Sequence, residues 1–320
     1  GPMHGVPVIL KDNIDTHDRM PTTAGATALD NSIAPEDSWV AMKLREAGAV
    51  IIAKANLSEW ANFRASVSSS GWSGVGGQTK NPYILDRNPC GSSSGSGAAV
   101  SANLCMVSIG TETNGSIVCP SNNNGIIGIK PTVGLISRKG IIPISFTQDT
   151  PGPMARTVED AVICLGVLTG VDTSDLKTAD SKGNSLADYT AYLNPDGLKG
   201  KRIGIFKKAT GFQESVDTLF NQAVRKIRSL GAQVVPIEDD MMNGYEDASF
   251  KVLLYEFKDG LNKYLAGLGN ECRVKNLTEL IEFNKYDSVE LRYFNQEIFI
   301  AAEKKGDLNS EEYRNALKKM

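Results

Sequence analysis

The stretch from Pro89 to Pro120 constrains the fold most, because two turns rich in serine and glycine enclose it. Residues 91–97 have the composition of a flexible linker. They run directly, however, into a helix-compatible segment at residues 98–104 and a short apolar run at 106–109, which predicts a buried strand. Glycines at a helix start and a strand end let backbone N–H groups approach a ligand. We therefore predict a functional site here.

Over the rest of the chain, the spacing of hydrophobic residues predicts strands in some segments and helices in others. It predicts strands at residues 6–10, 50–54, 202–206 and 234–237, helices at 37–47, 157–168 and 215–230, and mainly helix from residue 246 onward. Residues 125–131 and 134–143 are predicted as strands broken by glycine and proline, and residues 148–154 as a rigid loop. This alternation is typical of α/β proteins.

Charge and composition argue against several classes of partner. The formal net charge of −3 gives no electrostatic reason to expect nucleic acid or an anionic membrane. No apolar run reaches the length of about 18 residues that a membrane span needs. The five cysteines lack CxxC spacing, which predicts free thiols in a reducing compartment and hence a cytoplasmic protein.

Histidine is too scarce for several kinds of active site. The only two, His4 and His17, lie near the chain start, outside any metal-binding motif. We therefore predict no metal and no cofactor. A serine nucleophile in this chain would need a base other than histidine, and lysine is the obvious candidate.

Lys11 follows the predicted strand at residues 6–10 and has two interpretations. A lysine at a strand end is commonly a surface residue. A lysine that follows several apolar residues can instead be partly buried, which lowers its pKa and makes the neutral amine available as a base.

Ser116 is the candidate nucleophile, in a turn that follows the strand predicted at residues 106–109. The N–H groups of Thr113, Asn114, Gly115 and Ser116 could stabilise an oxyanion there. Ser116 could equally cap a helix. Spacing alone does not rank the serines of the first turn, which are Ser92, Ser93, Ser94 and Ser96. Glu112 and Asp149 are interpreted as salt-bridge residues.

Four segments in order resemble the amidase signature family. They are Gly-Val-Pro-Val-Ile-Leu-Lys-Asp-Asn from Gly5, the run at 89–99, Gly-Thr-Glu-Thr-Asn-Gly-Ser-Ile-Val-Cys-Pro from Gly110, and Gln-Asp-Thr-Pro-Gly-Pro-Met from Gln148. The resemblance is dense over residues 1–170 and looser over 171–320, and it is strongest to peptide amidases, which hydrolyse C-terminal carboxamides. The glutamyl-tRNA amidotransferase subunits resemble the chain less, because they usually carry arginine at the position of Val118.

The resemblance implies a fold, a reaction and a set of site residues. The fold would be a single α/β domain over residues 1–320 with a mixed central sheet flanked by helices on both faces, comprising a signature core at 1–170 and a substrate-side region at 171–320. The reaction would be hydrolysis of a small-molecule or peptide amide by Ser116 as nucleophile, Ser92 as bridging serine and Lys11 as base. Gly91 would precede Ser92 through a cis peptide bond, and Ser93 would support the turn.

Two departures from the family pattern are visible. Cys90 and Asn114 stand where the family usually has glycine. The chain also opens almost on the lysine motif and stops in a helical stretch, so we expect a version shortened at both ends. Residues 64–79 and 246–320 are expected to shape the substrate pocket. The alternative to an active enzyme is an inactive fragment that keeps the fold. The oligomeric state is not predicted.

Overall fold

The computed structural model describes residues 1–238 and 244–320 of the chain. The chain divides into two compact units, one formed by Gly1–Asp188 together with Ala248–Met320 and the other by Tyr189–Asp247. The single domain with a signature core up to residue 170 stays a prediction, because compactness alone does not measure independent folding.

The described residues form strands and α-helices, with four consecutive helices at the end of the chain. The strands are β1 (Pro7–Lys11), β2 (Val50–Ala55), β3 (Trp72–Ser73), β4 (Gly77–Gln78), β5 (Val107–Glu112), β6 (Ile127–Gly128), β7 (Thr150–Ala155), β8 (Arg202–Phe206) and β9 (Gln233–Ile237). The helices are α1 (Trp39–Glu46), α2 (Ser94–Ser101), α3 (Val118–Asn123), α4 (Val158–Leu168), α5 (Glu214–Ser229), α6 (Tyr245–Gly267), α7 (Leu277–Tyr286), α8 (Glu297–Glu303) and α9 (Glu311–Lys319). The predicted strands β1, β2, β8 and β9 and helices α1, α4 and α5 are confirmed to within two residues at each end.

The first unit is built on a mixed five-stranded sheet with the order β2-β1-β5-β7-β6. β1 pairs in parallel with β2 and β5, and β7 pairs antiparallel with β5 and β6. Ile9 packs in a buried cluster with Ala99 and Val100 of α2. Successive strand residues point to opposite faces, so Val8 and Leu10, both fully buried, face away from α2. Because α4 contacts β5, β6 and β7, and α1 contacts β2, helices flank the sheet as predicted.

The segment predicted as a rigid loop at 148–154 is mostly strand β7, so that prediction was wrong. Pro151 and Pro153 suggested a loop because proline cannot donate to a ladder. In the sheet they lie opposite Thr111 and Ile109 of β5, and β6 pairs only with Met154 and Ala155. Just after β6, the N–H of Ile129 still donates to the carbonyl of Pro153 at 3.0 Å, so β7 is bonded on both sides despite its prolines.

The segment at 134–143 was predicted as strand and is mainly turn, with one bridge between Ile14 and Ile141. Gly134 and Gly140 have φ of 92° and 70°, which reverses the chain twice and prevents a continuous strand. Ile142 and Ile144 instead enter a second apolar core of the first unit. That core is formed with residues of α6, α7 and α8 and with Trp60 and Phe63.

The second unit contains β8, α5 and β9. β8 and β9 pair in parallel with Arg202 opposite Gln233, and α5 is the crossover between them. Across both units, none of the helices in residues 1–238 and 244–320 combines the length and the apolar character that crossing a bilayer requires.

Candidate active site

The side chain of Lys11 is fully buried at the end of β1. Lys11 lies two residues after Ile9 and so projects from the same face of the sheet, toward the start of α2. Its Nζ donates to Ser92 Oγ at 2.7 Å, to Thr111 Oγ1 at 2.8 Å and to the carbonyl oxygen of Thr111 at 3.2 Å. Asn13 Nδ2 also donates to Thr111 Oγ1, at 3.0 Å. Lys11 is therefore the buried lysine of the second interpretation, not a surface residue.

Burial lowers the pKa of Lys11 from its ordinary value of 10.5 to about 7. Desolvation of the ammonium is the main cause, and the nearby carboxylates of Asp149 and Glu112 offset part of it. A substantial fraction of Lys11 is therefore neutral at neutral pH.

Ser92 is fully buried in the turn before α2, and the peptide bond that joins it to Gly91 is cis. Ser93 holds this turn to β5, because its Oγ accepts from the N–H of Thr111 at 3.2 Å and donates to the carbonyl of Thr111 at 3.1 Å. A Cβ at Gly91 would overlap with Ser58 Oγ and lie 2.8 Å from Ser94 Oγ. Glycine is therefore needed there for steric reasons.

Ser116 lies in the turn between β5 and α3, with 9 % of its surface exposed. Gly115, before it, has a φ of 82°, which a residue with a side chain rarely adopts. Ser93 N–H donates to the carbonyl of Ser116 at 3.1 Å, which ties the two serine-bearing turns together. The N-cap of α3 is Ile117, without a side-chain cap, so Ser116 does not cap this helix.

Glu112 and Asp149 bind the turns around Ser116 and are not the salt-bridge residues that we predicted. Glu112 Oε2 accepts from the N–H groups of Ile117 at 2.7 Å and Val118 at 3.0 Å, at the start of α3. Asp149 Oδ1 accepts from Thr113 Oγ1 at 2.5 Å, within the turn itself.

Asp149 is a site residue to which the sequence analysis gave a salt-bridge role. Its Oδ2 accepts from the N–H groups of Ile144 and Ser145, each at 2.8 Å. Burial raises its pKa to about 6, although these hydrogen bonds favour the carboxylate. Asp149 is the second residue of the motif that begins at Gln148, and this position in the sequence could have indicated that it belongs to the site.

A cavity of about 280 Å³ opens beside these turns. Ser92, Thr113 and Ser116 line one part of it, whereas the fully buried Lys11 reaches this region through Ser92. Five apolar residues line another part of the cavity, and we call them the apolar wall: Ile141, Ile142, Pro143, Ile144 and Phe146. The lining thus comes from neither of the two segments expected to shape the pocket, residues 64–79 and 246–320.

The cationic side chains at the cavity are paired. Arg138 makes two hydrogen bonds to Asp175, from Nε at 2.8 Å and from Nη2 at 2.5 Å. Lys139 Nζ lies 2.9 Å from Glu36 Oε2. Within the described part of the chain, no group of three or more His, Cys, Asp or Glu side chains could hold a metal ion.

Cys90 and Cys119 form a disulfide, with Cα atoms 6.0 Å apart, so the prediction that every cysteine is a free thiol was wrong for these two. Cys105, Cys164 and Cys272 are free and buried. A separation of 29 residues without CxxC spacing gave no local sign of the pair. The bond removes the reason to expect a reducing compartment, and cytoplasmic location stays a prediction.

Comparison with known proteins decides the family. The family model described as Amidase matches residues 1–320. The chain belongs to the amidase family. A probable amidase of Arabidopsis thaliana is 43% identical over 99% of the chain. The solved structure of a peptide amidase from Stenotrophomonas maltophilia matches the whole chain with a TM-score of 0.94 and 48% identity.

Other amidase-family relatives come from amidotransferases. A glutamyl-tRNA(Gln) amidotransferase subunit of Rippkaea orientalis is 42% identical over 73% of the chain. The chain spans 62% of the plant relative, 47% of the amidotransferase relative and 65% of the peptide amidase chain.

Proposed function

We propose that this chain carries the catalytic centre of an amidase that hydrolyses carboxamides to a carboxylic acid and ammonia. The observation that carries the proposal is the hydrogen bond of 2.7 Å between Lys11 Nζ and Ser92 Oγ, at a lysine that burial brings to a pKa of about 7. Ser92 and Ser116 both line the neighbouring cavity, and Ser116 is the more exposed of the two, so a substrate in the cavity could reach it. A base tuned close to working pH is what general-base catalysis requires.

The surroundings of Lys11 favour proton transfer from Ser92. A neutral amine has two N–H groups and one lone pair. The carbonyl and hydroxyl oxygens of Thr111 can accept the two N–H groups, which leaves the lone pair directed at Ser92 Oγ. Lys11 would thus take a proton from Ser92, and Ser92 would in turn take one from Ser116.

Ser116 Oγ would then attack the amide carbon and form a tetrahedral intermediate. The N–H groups of Thr113, Asn114 and Gly115 would stabilise its oxyanion. The hydrogen bond from Thr113 Oγ1 to Asp149 supports this role of the turn, because it holds Thr113 in place. The relay would return the proton to the departing nitrogen, so that ammonia leaves and an acyl-enzyme remains. Water would release the acid by the same steps in reverse.

The cavity favours an apolar acyl group over free glutamine. Glutamine carries an ammonium and a carboxylate, each of which needs a partner when it leaves water. Arg138 and Lys139 already pair with Asp175 and Glu36. The apolar wall instead suits the side chain of an apolar residue at a peptide C-terminus. Similarity to a peptide amidase supports a peptide amide as substrate.

Ammonia release from a panel of amides tests the function. The panel contains a C-terminally amidated apolar dipeptide, a small aliphatic amide and free glutamine. We expect release from the dipeptide amide in wild type, and loss of this release in Ser116→Ala. Ser121→Ala is the matched control, because Ser121 is a buried serine of α3 whose Oγ has no hydrogen-bond partner among the described residues. Release from glutamine alone would support an amidotransferase component, and release from no amide would overturn the proposal.

A further inference from the structure

The disulfide joins the two turns that hold Ser92 and Ser116. Cys90 lies immediately before the Gly91–Ser92 bond, and Cys119 lies in the first turn of α3, three residues after Ser116. The N–H of Cys119 donates to the carbonyl of Gly115 at 2.8 Å. One end of the cross-link therefore acts on the chain beside Ser92, and the other acts on the turn that precedes Ser116.

The backbone at Cys90 supports a specific role for this residue. Cys90 has a φ of 60°, in the left-handed region that favours glycine. Its N–H bonds to Asn88 Oδ1 at 2.9 Å, and its carbonyl accepts from Ser94 Oγ at 2.8 Å, so neighbouring residues hold this conformation on both sides. A side chain at such a position carries a backbone cost, which the cross-link to Cys119 offsets.

Hydrogen bonds also link the two turns. Ser93 N–H donates to the carbonyl of Ser116 at 3.1 Å, and Asn124 Nδ2 donates to the carbonyl of Pro89 at 3.0 Å. Lys11 and Thr111 hold the Ser92 side against the sheet. Glu112 and Asp149 hold the Ser116 side by further hydrogen bonds, and the disulfide adds a covalent cross-link between the two turns.

We propose that the Cys90–Cys119 disulfide is a positioning element, which holds the turn that carries Ser116 against the turn that carries Ser92. This inference rests on the proposed function of the two serines. Misplacement of a reacting group by about 1 Å can cost 100-fold in rate. The apolar wall lies outside the cross-linked segment, so loss of the disulfide changes kcat and leaves KM almost unchanged.

Reversible reduction of the folded protein tests the proposal. A water-soluble phosphine reduces the disulfide with one water molecule to two thiols and the phosphine oxide. After removal of the phosphine, dipyridyl disulfide oxidises the two thiols again and releases two pyridinethiols. Thiol titration counts the thiols at each step, and near-ultraviolet circular dichroism reports the fold. Cys90→Ser/Cys119→Ser gives the same state without a reagent, and Cys164→Ala is the matched control, since Cys164 is a buried free cysteine of α4.

We expect kcat for the dipeptide amide to fall about tenfold or more on reduction and in the double variant, with KM within about twofold of wild type. Reoxidation restores kcat in wild type, and Cys164→Ala responds to the phosphine as wild type does. An unchanged kcat in reduced, folded wild type overturns the inference, as does a change confined to KM. If the double variant does not fold, the reduction experiment decides. If oxidised wild type releases no ammonia from any amide, the proposed function fails and this inference fails with it.

Discussion

Lys11 Nζ and Ser92 Oγ lie 2.7 Å apart, and both side chains are fully buried. The hydrogen bond is therefore shielded from solvent, and the charge on Lys11 depends on the groups around it more than on bulk water. This environment, and the turns that surround it, lead to four predictions.

The first concerns the pH dependence of the reaction. The base that we propose is the neutral form of Lys11, so kcat/KM should rise with pH through about 7, the pKa of this lysine in the folded protein. Lys11→Met should lower kcat by about 100- to 10,000-fold, as expected for loss of a general base. A rate that is independent of pH between 6 and 8 would contradict the assignment.

The second concerns the two carboxylates that act on Lys11. Asp149 favours the ammonium form more strongly than Glu112 does. Asp149→Asn should therefore lower the kinetic pKa and move the pH–rate profile to lower pH, and Glu112→Gln should move it in the same direction by less. An asparagine oxygen can still accept from Ile144 and Ser145, so the turn should survive. A shift to higher pH in either variant would contradict the electrostatic account.

The third concerns stability. The pKa of Lys11 is about 7 in the folded chain and close to 10.5 when unfolded, so between these values the unfolded chain binds one proton more. The free energy of unfolding of wild type should therefore rise, relative to Lys11→Met, by about 1.4 kcal/mol per pH unit between about pH 7 and 10. Urea unfolding of both proteins across this range measures the difference. Parallel curves would show that Lys11 is not desolvated.

The fourth concerns Gly91. A methyl group there would overlap with Ser58 Oγ, so Gly91→Ala should destabilise the fold by about 1–3 kcal/mol and reduce ammonia release. Gly267→Ala is the control, since a Cβ there meets no atom within 4 Å. Thermal unfolding of the two variants checks the difference. Equal stability of the two would show that the turn at Ser92 has room for a side chain.

Local pattern accounts for much of the fold but not for its long-range pairings. The apolar run before Lys11 was sufficient to predict β1, because strand formation and burial follow from the same residues. β7 was missed because Pro151 and Pro153 argue locally against a strand, whereas their pairing opposite β5 is a long-range contact. That error also concealed the role of Asp149, which lies one residue before β7 and accepts a hydrogen bond from Thr113, the residue after β5.

The cysteine pair shows the same limit. Cys90 and Cys119 are 29 positions apart and come together where α3 contacts α2. The pKa of Lys11 likewise depends on burial, which lowers it, and on the carboxylates of Asp149 and Glu112, which raise it, and the β1 segment alone includes neither carboxylate. Residue types and motif order could be read from the sequence, whereas the burial and partners of each group could not.

The most direct test of the central claim is to locate the acyl-enzyme. Wild type is mixed with an activated ester of an apolar acyl group, quenched in acid and digested, and the acylated peptide is identified by mass spectrometry. We predict one acyl group, on Ser116, which is absent in Ser116→Ala and present in Ser121→Ala. An acyl group on Ser92 or on Lys11, or equal labelling of Ser116→Ala and wild type, would contradict Ser116 as the nucleophile.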